Sequence, residues 1–112
     1  MLFMIIERFH NHDPLPVYTR FQNHGRLAPA GLTYISSWVS QDLSQCYQVM
    51  EAEKRELVDQ WIKEWEDLVD FEVVEVMGSE EAKTRVLGQK EKKEKETSRG
   101  STGEARSTAN MQ

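Results

Sequence analysis

Three side chains able to bind a metal or carry a proton lie together near the start of the sequence: His10, His12 and Asp13. In an extended segment, the His10-x-His12 spacing places both imidazoles on one face. Imidazole and carboxylate groups are ligands for divalent metals, and histidine titrates near neutral pH. The three residues match no known metal motif, and HExxH and CxxC are absent from the sequence. We keep His10 as a candidate catalytic residue and all three as candidate metal ligands. The alternative is a solvated loop in which Asp13 caps a helix, and no cofactor is predicted.

A second group of residues predicts a pocket for a small molecule. Gln48 lies between Cys46 and Met50 on one face of a segment with alternating polarity. A buried amide must find hydrogen-bond partners, and small serines in the preceding extended segment leave space beside it. Mixed aromatic and polar walls are typical of ligand sites. The alternative is an ordinary core, with Gln48 bonded to nearby backbone. The predicted lining is Tyr34, Ser36, Trp38, Gln48 and Met50, with Trp61 or Trp65.

Arg26 is a further candidate ligand-binding residue. It follows a predicted helix in a loop, and its guanidinium suits a carboxylate or phosphate. A surface ion pair with one of the many acidic residues is the alternative. Cys46 has no activating base in its local sequence, so we interpret it as a small core residue. Phosphate loops, GxSxG and dinucleotide-binding motifs are absent from the sequence.

Hydrophobic periodicity predicts the order β-α-β-β-α-β for the elements that must position these residues. In the second strand, Leu32, Tyr34, Ser36 and Trp38 are expected to share one face. The link to the third strand is too short for a parallel crossover, so the two strands should form an antiparallel hairpin. The predicted strands are 2–9, 32–39, 45–51 and 69–77, and the predicted helices are 14–24, 53–67 and 79–87.

This order is the split βαβ, ferredoxin-like arrangement of the α+β class. Right-handed crossovers place both helices on one face of a four-stranded antiparallel sheet. The other face would then carry apolar side chains without a covering element. A large exposed apolar patch is uncommon on a monomer, so we expect a homodimer with sheet facing sheet.

The composition of the 112 residues suits one small domain. Nineteen acidic residues against fourteen Lys and Arg give a net charge of −5, which argues against a nucleic-acid partner. The sequence has no apolar run long enough for a membrane span and no signal-peptide pattern, and its single cysteine suggests the cytoplasm. Residues 1–87 are the predicted domain. Residues 88–112 lack Leu, Ile, Val and aromatic side chains, which predicts a disordered charged tail.

Several stretches of the chain also resemble a known family. They are His24–Leu27 (HGRL), Gly31–Tyr34 (GLTY), Ser37–Val39 (SWV), Cys46–Glu51 (CYQVME) and Trp61–Val73 (WIKEWEDLVDFEV). Together these stretches resemble a bacterial family catalogued as domain of unknown function 3303, over about residues 1–82. The resemblance implies the dimeric α+β barrel class. That class includes small monooxygenases, isomerases, haem proteins and proteins without known chemistry, so the resemblance implies a fold and no particular reaction.

Three functional hypotheses remain open. The leading one is a small cytoplasmic homodimer that binds a small, partly apolar ligand between sheet and helices. The second is a cofactor-poor enzyme of the monooxygenase or isomerase type, which rests on fold analogy and needs a titratable residue in the pocket. His10 is the nearest candidate for that residue. The third is a purely structural or regulatory dimer without a ligand.

Overall fold

Four antiparallel strands form the sheet of this protein. The computed structural model describes the backbone of residues 1–97 and the side chains of residues 1–89. The strands are β1 (Leu2–Phe9), β2 (Thr33–Val39), β3 (Gln45–Glu51) and β4 (Val69–Val76), and the helices are α1 (Leu15–His24), α2 (Arg55–Ile62) and α3 (Ser79–Thr97). The sheet order is β2-β3-β1-β4, and every neighbouring pair is antiparallel, which confirms the ferredoxin-like α+β fold.

The hydrophobic core lies between one face of the sheet and the helices α1 and α2. Phe3 and Ile5 of β1 pack with Val58 and Trp61 of α2, and each of the four is at most 3% exposed. Val17 of α1 packs against the same cluster. Burial of each large apolar side chain stabilises the fold by about 1.5–3 kcal/mol. Both helices therefore cover the same face, as predicted from right-handed crossovers.

A β-bulge in β2 changes which side chains face the helices. Tyr34 pairs with Met50, but Ser36 pairs with Val49, so Ile35 is the extra residue. Because the bulge shifts the alternation by one position, residues before and after it no longer keep a single period of two. The prediction that Tyr34 shares a face with Ser36 and Trp38 is therefore wrong. Tyr34 and Ser37 lie on the helix-covered face, whereas Ser36 and Trp38 lie on the opposite face.

Helix α2 is shorter than predicted. It spans Arg55–Ile62 rather than residues 53–67, and the chain continues in tight turns up to β4. In these turns the Trp65 N–H bonds to the carbonyl of Ile62, three residues back. The guanidinium of Arg20 in α1 donates to the carbonyl of Glu64 at 2.8 Å and to both oxygens of Asp67 at 2.9 and 2.7 Å. A side chain from another helix thus satisfies a carbonyl that a longer helix would have bonded itself.

The described residues from Met77 to Thr97 belong to a separate compact unit. Its helix α3 begins at Ser79, as predicted, but continues to Thr97 instead of ending at residue 87. The extension covers a run of alternating Lys and Glu residues, whose i,i+4 pairs favour helix. This helix therefore occupies the first ten positions of the predicted disordered tail. Residues 98–112 lie outside the described part, so disorder there stays a prediction. No helix within residues 1–97 is long and apolar enough to cross a membrane.

Candidate functional site

A cavity of about 130 Å³ opens between the sheet and helix α1. Helix α1 buries none of its residues, and Tyr18 and Phe21 remain 48% and 42% exposed. The space beneath this helix is thus not filled by its own side chains. The walls come from β1, α1, the loop after α1, β2, β3 and the segment around the end of α2. The lining residues are Glu7, Phe9, Val17, Tyr18, Phe21, Arg26, Ser37, Val39, Cys46, Gln48, Trp61 and Trp65.

Glu7 is the buried acidic residue of this cavity. The alternation of β1 places it on the same face as Phe3 and Ile5, and it is only 7% exposed. Burial raises the pKa of the Glu7 carboxyl from 4.5 to about 7, although the charge of Arg26 and a hydrogen bond from Gln48 act in the opposite direction. Desolvation disfavours the ionised form and dominates here. Glu7 therefore exists as a mixture of carboxylic acid and carboxylate at neutral pH.

A chain of hydrogen bonds connects Glu7 to the mouth of the cavity. The amide nitrogen of Gln48 donates to Glu7 Oε2 at 2.8 Å. The amide oxygen of Gln48 accepts from Nε of Arg26 at 3.3 Å. Gln48 is 4% exposed, and both ends of its amide have a partner. The order Glu7–Gln48–Arg26 thus links a buried acid to a cation through one amide.

Two tryptophans hold the backbone of Arg26. The indole nitrogens of Trp61 and Trp65 both donate to its carbonyl oxygen, at 2.9 and 3.0 Å. Just before it, Gly25 ends α1 with φ +74°, a conformation that glycine adopts without steric cost. The chain can therefore leave the helix sharply and bring Arg26 over the sheet. The Arg26 main chain is consequently fixed independently of its own side chain.

The guanidinium of Arg26 lies between two aromatic rings. Its Cζ is 3.8 Å from the centroid of the Tyr34 ring and 5.1 Å from that of the Phe21 ring. Cation–π contacts of this kind stabilise the charge without neutralising it. Among residues 1–89, Arg26 forms no ion pair. The other four arginines of that range, Arg8, Arg20, Arg55 and Arg85, each pair with a carboxylate.

The remaining titratable groups of the cavity keep their protons at neutral pH. Burial and the nearby Glu7 raise the pKa of the Cys46 thiol to about 12, so it is not a thiolate nucleophile. Burial, with contributions from Cys46 and Glu7, also raises the pKa of the Tyr18 phenol. Tyr18 and Cys46 therefore act as neutral hydrogen-bonding groups. Glu7 is therefore the group of this cavity whose protonation changes near neutral pH.

The structure brings part of the predicted pocket together. Gln48, Arg26 and Trp61 line the cavity. Met50 is fully buried in the core, and Tyr34 contacts Arg26 and Ser37, with its hydroxyl 2.8 Å from Ser37 Oγ. The expected positions of Ser36 and Trp38 on the cavity wall are wrong, because the bulge at Ile35 turns both to the other face. Ser37 takes the place predicted for Ser36.

The histidine cluster lies apart from this cavity. Strand β1 ends at Phe9, and His10–His12 form a 3₁₀ turn in which Asn11 and His12 have φ of +59° and +55°. The expected extended spacing of the two imidazoles is therefore wrong. Nδ1 of His10 lies 3.1 Å from the carbonyl oxygen of Asp67, and Nε2 lies 3.0 Å from Oδ1 of Asp70. Both ring nitrogens of His10 thus face acceptors.

Asp13 serves the neighbouring helix. Its carboxylate accepts a hydrogen bond from the N–H of Leu15 at 3.0 Å, at the start of α1. The described part of the chain brings no three His, Cys, Asp or Glu side chains into a metal-binding arrangement. His10, His12 and Asp13 are therefore not gathered as a ligand set. His10 and His12 instead line a separate surface depression with Asp70.

Sequence reasoning missed Glu7 and expected His10 as the titratable residue. A signal was present: Glu7 continues the period-two series of Phe3 and Ile5, which belongs to the core face. The run of six apolar residues at the N-terminus obscured this alternation.

Comparison with known proteins gives a family match over most of the chain. The model of a family described as domain of unknown function 3303 matches residues 1–90. No curated protein and no solved structure matches. The matched range includes the whole sheet and every residue that lines the cavity.

Proposed function

Because the chain belongs to the family of domain of unknown function 3303, whose description assigns no activity, we propose a function from the geometry alone. The chain binds a small, partly apolar molecule in the cavity under α1. The observation that carries this proposal is the Glu7–Gln48–Arg26 chain in the lining of a cavity with aromatic walls. Buried polar groups converging on an otherwise apolar space are typical of ligand sites.

The size of the cavity limits the ligand or the part of it that enters. A dry cavity of about 150 Å³ lined by aliphatic and aromatic side chains binds benzene. A space of about 130 Å³ therefore admits roughly one aromatic ring or a short branched chain. The cavity is partly open to solvent, so a larger molecule would extend outwards from it.

Blocking the cavity tests this proposal. We expect at least one member of a panel of single-ring compounds (acid, amide, amine and hydrocarbon) to bind saturably to the natural chain in NMR titrations. Ser37→Phe places a ring in the cavity and should abolish that binding. Ser36→Phe is the matched control, because the neighbouring serine lies on the opposite face. Equal binding to both variants, or no binding by any compound, would contradict the proposal.

We also propose that the protein is a homodimer joined through the uncovered face of the sheet. The side chains there include Met4 and Ile6 of β1 and Val49 of β3. Trp38 and Val74 on the same face are 58% and 42% exposed. Apolar side chains in neighbouring strands favour a second apolar sheet as the partner. A domain of this size also buries a limited fraction of its surface alone.

A charge placed on this face should separate the subunits. We expect native mass spectrometry to find a dimer for the natural chain and a monomer for Trp38→Glu. Leu15→Glu is the control, because Leu15 is 68% exposed on α1, on the helix side of the sheet. A monomeric natural chain, or a Trp38→Glu variant that stays dimeric, would sink the sheet-to-sheet dimer.

Proton-transfer catalysis is the second candidate function, and Glu7 is the observation that favours it. A carboxyl group with a pKa of about 7 in a cavity is suited to act as a general acid or base at neutral pH. We expect such an enzyme to exchange the α-protons of a single-ring ketone in D₂O: Glu7 removes a proton from carbon and a deuteron returns. Exchange should cease in Glu7→Gln. If the natural chain exchanged these α-protons no faster than the buffer alone, this activity would be ruled out for that class of ketone.

A further inference from the structure

We propose that the cavity takes a small monocarboxylic acid with an aromatic or apolar body, whose carboxylate is held by the guanidinium of Arg26. This inference rests on the proposed ligand-binding function and names the chemical class of the ligand. It goes beyond that function because a cavity of this size and polarity would equally admit neutral compounds.

The first support is the unused hydrogen-bonding capacity of Arg26. A guanidinium has five N–H groups. Arg26 donates one of them, its Nε–H, to the amide oxygen of Gln48. No side-chain hydrogen bond among residues 1–89 uses its two terminal nitrogens, and no carboxylate lies within ion-pair distance. Two parallel N–H groups of this kind match the two oxygens of a carboxylate. No carboxylate of residues 1–89 forms a direct ion pair with this charge, although Glu7 lies near enough for the charge to act on its pKa. The terminal nitrogens of Arg26 are thus available to an anion.

The second support is the rigid position of this charge. Trp61 and Trp65 fix the Arg26 carbonyl, and the rings of Tyr34 and Phe21 flank the guanidinium. Its side chain is therefore ordered before a ligand arrives. A group that is already ordered loses little conformational freedom when it binds, which strengthens binding.

The third support is the chemistry of the walls behind the charge. Phe9, Val17, Val39 and Trp61 provide apolar surface on several sides. The space they enclose has room for about one ring. A molecule with its carboxylate on Arg26 can thus place an apolar body against these side chains.

Glu7 determines when such an anion can enter. The groups that face Glu7 are Gln48 and Cys46 from β3, Tyr18 from α1 and Arg26 from the loop, and only Arg26 among them is charged at neutral pH. Its partner in β4 is the uncharged Phe71. An ionised Glu7 would repel a carboxylate, whereas the neutral acid can donate a hydrogen bond to it. Because the pKa of Glu7 is about 7, binding should take up a proton above that pH.

The test compares benzoate with benzamide, which has nearly the same shape but no charge. At pH 6, isothermal titration calorimetry should give at least tenfold tighter binding for benzoate. Arg26→Met should weaken benzoate binding about 10- to 100-fold, as expected for loss of a charge-assisted pair, and leave benzamide nearly unchanged. The Arg26 backbone keeps its tryptophan contacts in this variant. Arg55→Met is the control, because it removes the same charge from an exposed ion pair outside the cavity lining.

The pH dependence provides a separate readout. Benzoate affinity for the natural chain should fall about tenfold per pH unit above pH 7, with proton uptake visible as a dependence of the binding heat on buffer. Glu7→Gln should remove both effects while still binding benzoate. A purely structural role for Glu7 would not produce this pattern.

The outcomes separate this inference from the proposed function. Benzoate binding that depends on Arg26 and on protonated Glu7 supports the inference. Benzamide or toluene binding as tightly as benzoate would overturn it, while the cavity would remain a ligand site. Absence of binding by all three, in a chain that is folded by circular dichroism, would overturn both. If Arg26→Met and Arg55→Met lowered the affinity for benzoate equally, the proposed contact between the ligand carboxylate and Arg26 would be overturned.

Discussion

At pH 8, the Glu7→Gln variant is expected to be more stable than the natural chain by up to about 3 kcal/mol. The folded-state pKa of Glu7 is raised from 4.5 to about 7, and each pKa unit corresponds to about 1.4 kcal/mol. The folded protein therefore binds more protons than the unfolded chain between pH 4.5 and 7. The contribution of Glu7 to the free energy of unfolding is fully present below pH 4.5. It falls as the pH rises through 7, and it is constant at higher pH.

Chemical denaturation at pH 5, 6, 7 and 8 measures this effect. Glutamine resembles the neutral acid in shape, and its carbonyl can still accept from Gln48, so the stability difference should shrink to under about 1 kcal/mol at pH 5. The difference between them isolates Glu7, because other titrating groups contribute equally to both. Glu53→Gln at an exposed position is the control and should show no such divergence. A stability difference that does not change with pH would mean that Glu7 is not desolvated as described.

Loss of the Trp61 side chain is expected to have the largest effect on stability. Trp61 is 3% exposed, packs edge-on against Phe71 with ring centroids 5.7 Å apart, and donates to the carbonyl of Arg26. Replacement of a buried tryptophan by alanine costs about 3–5 kcal/mol. Domain stabilities are about 5–15 kcal/mol in total. Thermal denaturation should therefore find Trp61→Ala strongly destabilised or already unfolded. Leu15→Ala, on the exposed helix α1, should have nearly the stability of the natural chain.

The shared carbonyl acceptor makes the effects of the two tryptophans non-additive. In Trp61→Phe or Trp65→Phe, the Arg26 carbonyl keeps one indole donor. In the double variant this partly buried carbonyl loses both donors, which adds about 1–3 kcal/mol beyond the sum of the single changes. Denaturant titration of the four proteins measures this coupling. Additive single effects would show that water replaces the lost donors without cost.

These predictions connect the stability of the fold to the proposed site. Glu7 costs stability at neutral pH, yet it lies where a ligand would contact it. The tryptophan pair stabilises the fold and also positions Arg26 at the cavity. A titratable residue with a strongly perturbed pKa in a cavity is a common feature of functional sites.

The strands were predictable because their evidence is local. Residues 2–9 and 45–51 were predicted with the boundaries that the structure has. An apolar run ended by turn residues indicates the first of these strands, and alternating polarity indicates the second. The short connection before β3 required a hairpin, and handedness placed both helices on one face. That Gln48 would be buried and hydrogen-bonded was also predictable, because its neighbours in the strand are apolar and a buried amide needs partners.

The sequence therefore predicts the order of elements, the ferredoxin-like topology and the burial of Gln48. The bulge at Ile35, the early end of α2 and the burial of Glu7 are visible only in the folded structure. The reason is that these features depend on groups distant in the chain. Glu7 and its hydrogen-bond donor Gln48 are 41 residues apart, and Arg20 reaches the carbonyl of Glu64 across 44 residues. Periodicity reports which side of an element a residue occupies, but the environment on that side is created only when the elements pack together.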